Sequence, residues 1–268
     1  MPADKPAGLA PEYGAQFADA AVVDAYRFRP PYPDDVFDVL ERLLGDGPRI
    51  VLDLGTGPGE IARRLAPRVA RVDAVDPSPA MLALARQLPG GAHPNITSHL
   101  ALAEDFAYPS RYGLAVAAES LHWMDWEVVL PAIGRALAPG ARLVVLDRRI
   151  DGVAWWPDIA PLIPQYSTNT DYRPYDLLGE LVSHGRFVVE GGATTAPVTI
   201  AQPVDDYVES WHSRNGFSRE RMGAARAAAF DAALRGVLSP HVSRGQVEMV
   251  LQATLAWGRP PVRTGVLG

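Results

Sequence analysis

Three glycines at alternate positions close an apolar run in the segment Val51-Leu52-Asp53-Leu54-Gly55-Thr56-Gly57-Pro58-Gly59-Glu60. Glycine at a strand-to-helix turn lets the backbone approach a ligand closely, with the free amides of the following helix facing it. Asp76 stands at the end of the next apolar run, where an acid can accept both hydroxyls of a ribose. Together the turn and the acid predict a nucleoside-bearing ligand. Against this stands a plainer reading, a tight connection followed by a helix-end charge. The spacing is G-x-G-x-G with an acid two residues before the first glycine, not the G-x-G-x-x-G of a dinucleotide site.

Other reactive groups are few. There is no cysteine, which excludes disulfides, zinc ribbons, thiolate-bound clusters and a cysteine nucleophile. His93, His99, His184 and His241 are scattered at no ligand spacing, so no catalytic metal is expected. His122 lies just past an apolar run and beside Glu119 and Trp123. It is a candidate to position an acceptor or remove its proton, the alternative being a histidine that holds a loop.

The elements that must position these residues follow from periodicity. Val36, Phe37, Leu40, Leu43 and Leu44 share one helical face between Pro33 and Gly45. Arg49 to Leu54 reads as a buried parallel strand, Val69 to Val75 as a second, Ile96 to Leu102 as a third, Leu114 to Ala118 as a fourth and Arg142 to Leu146 as a fifth. Helices fall at about Glu60 to Ala66, from Pro79 to Leu88 with Ser78 as N-cap, and at about Asp125 to Leu137. Such alternation means a parallel sheet with helices on both faces. Beyond Asp151 the pattern changes to a loop-rich stretch over 153–176, a helix Leu177 to Ser183 and a strand from about Ala193 to Ile200. Helical stretches Val204 to Trp211 and Arg219 to Leu238 precede a final strand Val247 to Trp257.

The chain has 268 residues, 48% of them hydrophobic and 21% charged, an ordinary globular composition that excludes disorder over most of its length. Net charge is −6, and Lys5 is the only lysine among 25 basic residues. The absence of a basic face argues against nucleic acid as the main partner. No basic stretch followed by an apolar run opens the chain, so neither leader nor membrane span is expected and the cytoplasm is the expected location.

In its motifs the sequence resembles the class I S-adenosylmethionine-dependent methyltransferases, nearest to the small-molecule branch that includes trans-aconitate methyltransferase. The resemblance rests on Asp53 to Gly59 with Asp76, on Tyr26-Arg27-Phe28-Arg29-Pro30-Pro31-Tyr32-Pro33, on Ala103-Glu104-Asp105, on Ser120 to Asp125 and on Leu137 to Leu143. It implies a Rossmann-like α/β fold: a seven-stranded, mostly parallel sheet whose last strand, Val247 to Trp257, is antiparallel, with helices on both faces and a helical and looped lid formed by two insertions. It also implies three parts: a cofactor-covering segment over 1–32, an S-adenosylmethionine-binding core over 33–150, and acceptor-side insertions with the last strands over 151–268.

By the same resemblance, Asp53, Gly55, Thr56 and Gly57 cradle the methionine part of S-adenosylmethionine and Asp76 holds its ribose. Glu104, Asp105 and Met81 lie toward the adenine, while Tyr26 and Arg29 close over the cofactor. Apart from the resemblance, Glu119 is a candidate catalytic group beside His122 and a candidate cofactor contact. Where the family commonly has Gly-Gly after its Leu-x-Pro turn, this chain has Gly140-Ala141.

The acceptor side rests on residue type alone. Methyl transfer is an in-line displacement, so acceptor and methyl must be aligned. His122, Trp123, Trp155, Trp156, Tyr166 and Trp211 are the candidates to line a pocket for a small, flat or apolar molecule, the alternative for the aromatic residues being the core of the insertions. His212, Arg214 and Asn215 could face the same cavity, and Arg148 with Arg149 could bind an acceptor carboxylate or be surface charge. Three other readings compete: a rearrangement or cyclisation that uses the same cofactor without methylating, an NAD-dependent oxidoreductase, and a binding module without turnover. Glycine spacing and the lack of a Tyr-x-x-x-Lys dyad disfavour the oxidoreductase. The sequence leaves the acceptor, the methylated atom and the oligomeric state open.

Overall fold

The computed structural model describes residues 5–151 and 153–261. Eight strands form one sheet: β1 (Ile50–Leu54), β2 (Arg71–Asp76), β3 (Ile96–Leu100), β4 (Tyr112–Ala118), β5 (Leu137–Asp151), β6 (Val188–Thr194), β7 (Val198–Pro203) and β8 (Gln246–Arg259). Their order is β3-β2-β1-β4-β5-β8-β6, with β7 also paired to β8. The first five run parallel, and β8 is antiparallel to β5 on one side and to β6 and β7 on the other. This is the expected Rossmann-like sheet with one difference. The sixth position is filled by two collinear strands instead of a single run from Ala193 to Ile200. They are separated at Thr195, whose amide donates to the Ala253 carbonyl at 3.0 Å while its hydroxyl accepts from the Ala253 amide at 2.9 Å. Pro197, which has no amide to give, helps to end the pairing there.

Apolar residues on alternate sides of the parallel strands make two cores. Leu52, Leu54, Ala115 and Leu143 pack against Trp126, Val129 and Ile133 of the helix Trp126–Ala136. Val51, Val72, Leu114 and Val144 pack on the opposite face against Val36, Phe37 and Leu40 of the helix Asp35–Leu44, with Ile61 and Leu65 of the helix Glu60–Leu65. Asp125 caps the first of these helices by accepting from the Glu127 amide at 2.9 Å.

β5 runs well past the expected Leu146, because the long β8 pairs with it as far as Asp151 opposite Val250. Those extended ends carry a third core, in which Trp155, Ile159, Tyr207, Trp211, Phe217, Phe230 and Leu234 pack on Met249 and Leu251. The stretch expected to be loop-rich contains two short helices, Trp156–Ile159 and Leu162–Tyr166. The helical stretch from Arg219 is broken at Gly223, whose φ of 75° ends Arg219–Met222 before Ala224–Leu238 begins.

The N-terminal segment is tied to this module and not only to the sheet. Buried Gln16 donates to Asn215 Oδ1 at 2.6 Å and accepts from the Gly216 amide at 3.0 Å. Tyr13 donates to Asp171 at 2.8 Å, and Arg221 donates to Asp19 at 2.8 Å. Among the described residues no helix is long and apolar enough to cross a membrane.

Candidate functional site

The strand order reverses between β1 and β4, and it is outside the carboxyl ends of strands at such a point that open α/β sheets bind ligands. The glycine turn leaves β1 there. The Gly55 and Thr56 amides donate to the Val75 carbonyl at 2.9 and 3.0 Å, and the Gly57 amide donates to Asp76 Oδ2 at 2.8 Å. Gly55 and Gly57 have φ of 67° and 53°, a region that residues with a Cβ enter at a cost. A Cβ on Gly55 would meet Ser120 Cβ at 2.5 Å, whereas one on Gly57 would meet nothing within 4 Å.

That open space belongs to a cavity of 380 Å³ walled by the turn, Tyr26, Arg29, Tyr32, Asp53, Glu119 and Arg148, among others. Asp53 braces the turn from below: its Oδ2 accepts from the Thr56 hydroxyl at 2.5 Å and from the Ala62 amide at 3.2 Å. Burial raises its carboxyl to about 7, against the pull of those two hydrogen bonds. Asp76 is raised as well, again by burial, with the Ser78 and Gly57 amides opposing.

Glu119 is the electrostatic centre of the cleft. Its backbone, at the end of β4, has φ of 51°, an unusual conformation for a side chain of this size. Its Oε2 accepts from Tyr32 Oη at 3.1 Å and from Arg148 Nη2 at 3.1 Å, and Arg29 Nη1 lies 3.8 Å away. Burial works to raise this carboxyl, but the charges of Arg148 and Arg29 and the hydrogen bonds from Tyr32 and Arg148 outweigh it and hold it below its ordinary value. Glu119 is thus a fixed anion and a poor proton acceptor. Arg29 is oriented from the module, donating to Ser213 Oγ at 2.8 Å and to the Ser213 carbonyl at 2.7 Å, and it stacks on Tyr26 at 4.1 Å.

A second cavity, of 690 Å³, shares Arg29, Glu119 and Arg148 with the first and extends under the module. Its other walls are Arg149, Arg214, Tyr207 and Ser210, with Ile150, Val153, Trp156 and Pro157 as an apolar side.

The structure sorts the expected residues. Tyr26, Arg29, Asp53, Gly55, Thr56, Gly57 and Glu119 come together around the smaller cavity. Asp76 and Met81 lie just beneath, 8% and 2% exposed, with Met81 packed among Val23, Phe17 and Tyr26 of the N-terminal segment. Glu104 accepts from the Asp125 amide at 2.6 Å and lines a separate recess with Phe106 and Tyr108, and Asp105 is exposed. His122 and Trp123 line neither cavity. Trp123 sits under Phe17 with ring centroids 5.3 Å apart, and burial lowers His122 to about 4, so its imidazole is neutral at pH 7.

Of the aromatic candidates only Trp156, 46% exposed, faces the larger cavity. Trp155 and Trp211 are buried in the third core, and Tyr166 packs on Phe230. His212 is also interior, bonded to the Phe217 carbonyl and to Asp231 at 2.7 Å each. Sequence reasoning did not single out Tyr32, Glu60, Tyr207 or Ser213. Tyr32 and Glu60 do stand inside the quoted motifs, but no local signal marks Tyr207 or Ser213. Among the described residues no group of three or more His, Asp or Glu could hold a metal ion.

Residues 51–140 match the family described as a methyltransferase domain. An uncharacterized methyltransferase of Mycobacterium tuberculosis is 36% identical over 146 residues, 53% of this chain and 57% of that one. A trans-aconitate 2-methyltransferase of Methylobacterium radiotolerans is 35% identical over 111 residues, 40% of this chain and 41% of its own. The chain therefore spans little more than half the length of the first of these relatives and less of the second. A solved structure from Anaeromyxobacter dehalogenans, described as a type II methyltransferase, superposes with a TM-score of 0.57 over 86% of this chain and 97% of that one at 24% identity, a likeness of fold.

Proposed function

We propose that the chain, whose residues 51–140 match a methyltransferase domain, transfers a methyl group from S-adenosylmethionine to a small organic acceptor held in the larger cavity. The carrying observation is the pair of adjoining cavities at the strand-order reversal: one is lined by the glycine turn, the other by residues of the insertions, and Arg29, Glu119 and Arg148 are common to both walls.

The smaller cavity suits the methionine part of the cofactor. Gly57 leaves room for a close backbone approach, and the buried Nη1 of Arg148 has no partner of its own. When bound there, S-adenosylmethionine supplies an electrophilic methyl on a sulfonium. The chemistry it would supply is in-line displacement, in which an acceptor electron pair would take the methyl carbon, the carbon–sulfur pair would stay on sulfur, and any acceptor proton would pass to solvent. Arg29 would hold the cofactor carboxylate, and Glu119, kept ionised by Arg148 and Arg29, would hold its ammonium group. Asp53 and Thr56 keep the turn in shape. Asp76 takes the ribose, and the segment carrying Phe17 and Tyr26 covers the nucleoside end. Of the described residues, 5–32 would then cover the cofactor, 33–150 bind it, and those beyond 150 enclose the acceptor. Rate enhancement comes from alignment and exclusion of water, since Glu119 is a weak base and neutral His122 lies outside both cavities.

The test is turnover with S-adenosylmethionine and a library of small organic compounds, with S-adenosylhomocysteine and product measured together. The proposal expects one S-adenosylhomocysteine for each acceptor that gains a methyl. Product formed with no S-adenosylhomocysteine would replace it by a non-methylating rearrangement, and cofactor binding without turnover on any compound would leave a binding module.

A further inference from the structure

The walls of the larger cavity are rich in arginine. Arg29, Arg148, Arg149 and Arg214 line it, and Glu119 is the one acid among its lining residues. That acid is already committed to Tyr32, Arg148 and Arg29. Arg214 stands apart from the others. Its guanidinium rests on the face of Trp211 at 4.0 Å, and it has neither a hydrogen bond nor an ion pair to any described residue. Burial, with the neighbouring charges of Arg29 and Arg148, lowers its pKa, while part of its surface stays exposed. The guanidinium is thus open to a ligand that enters the cavity. It is also a planar fork suited to an oxyanion, already fixed in orientation by the indole beneath it.

We propose that the larger cavity binds its acceptor through an oxyanion, a carboxylate or phosphate, seated on Arg214 beside Arg149, with the apolar body of the acceptor against Ile150, Val153 and Trp156. The proposal rests on the methyl-transfer reading above and narrows it to amphiphilic organic anions. Arg214 and Arg149 belong to the larger cavity alone, whereas Arg29, Glu119 and Arg148 wall both. An anion anchored on the first pair therefore leaves the rest of the molecule directed to the shared wall, where the methyl arrives. Sulfonium and ammonium charges of a bound cofactor outnumber its one carboxylate, so the loaded enzyme needs an acceptor anion more than the empty one does.

The experiment uses the full chain and four probes: phenylacetate and phenyl phosphate, with uncharged phenylacetamide and benzyl alcohol as their counterparts. Each is titrated by calorimetry with and without saturating S-adenosylhomocysteine, whose own binding is measured first. The expected result is that at least one anion binds roughly tenfold or more tightly than its neutral counterpart. Arg214→Met is expected to abolish that preference while still binding S-adenosylhomocysteine, and Arg214→Lys to restore part of it. Preference for phenylacetate identifies a carboxylate site, and preference for phenyl phosphate a phosphate site. Equal binding of anions and neutral probes, no binding of any anion, or an anion preference untouched in both variants would each overturn the proposal. If Arg214→Met does not fold, Arg214→Lys with Arg149→Gln carries the same comparison. A protein that binds the anions and not S-adenosylhomocysteine would refute the methyl-transfer reading and leave the anion site standing.

Discussion

Adding one methyl group to either of two neighbouring glycines should separate folding from binding. Both positions have positive φ, so alanine at either carries about 1–2 kcal/mol of backbone strain. A less flexible unfolded chain offsets roughly 0.4–1 kcal/mol of it. For Gly57→Ala nothing further is charged against the folded state, because the new Cβ points into open space. For Gly55→Ala the Cβ would lie 2.5 Å from Ser120 Cβ, and Ser120 is held by its hydroxyl donating to the Leu54 carbonyl at 2.6 Å. Forcing that contact apart is overpacking, worth about 1–3 kcal/mol more. Gly55→Ala should therefore be the less stable variant by about 1–3 kcal/mol. The affinities should rank the other way among folded molecules, because the Gly57 methyl occupies the cavity itself and should weaken S-adenosylhomocysteine roughly tenfold or more. Urea unfolding and calorimetric titration of both variants measure the two quantities. Gly57→Ala binding like the parent, or Gly55→Ala no less stable than Gly57→Ala, would refute the reasoning.

Other consequences are open to equally direct measurement. His122 is lowered to about 4 in the folded chain by burial, against an ordinary 6.5, so its contribution to stability is complete above pH 6.5 and is lost as pH falls toward 4. His122→Gln should show a shallower fall of thermal midpoint over that window, and parallel curves would contradict the assignment. Phe230, fully buried among Trp211, Phe217 and Tyr166, should cost about 3–5 kcal/mol when cut to alanine. Unfolding followed by tryptophan fluorescence should still be a single transition if the module and the sheet share β5 and β8, and two transitions would show that they melt separately. Gln16→Ala removes the ties to Asn215 and Gly216 and should cost about 1–3 kcal/mol, with faster proteolysis before residue 30. Unchanged proteolysis would mean that the remaining contacts of the segment suffice.

The part of the site that lies along one stretch of chain was legible in the sequence. Gly55, Gly57 and Asp53 announce themselves by spacing, and Asp76 by its place one strand later, because a turn and a strand end are local events. Tyr26 and Arg29 were found through the motif around them. The larger cavity is assembled from residues far apart in sequence, and there residue type misleads. Trp155 and Trp156 are adjacent, yet the first is directed inward, its indole 3.4 Å from Tyr207 Oη, and the second faces the cavity. Trp211 is core and Arg214, three residues on, lies over its ring. Arg148 and Arg149 resemble surface charge until β5 is seen to continue to Asp151, a length dictated by its distant partner β8. The split of the sixth strand has the same origin, since it depends on what Thr195 meets across the sheet.

The central claim, that the glycine turn and Asp76 form a cofactor site, is tested most directly by calorimetric titration of the whole chain with S-adenosylhomocysteine. Asp76→Ala, shown by circular dichroism to be folded, serves as the comparison. The account predicts one binding site in the parent chain and its loss in the variant. A folded parent chain that takes up no S-adenosylhomocysteine would contradict the account, leaving the turn as a connection between a strand and a helix.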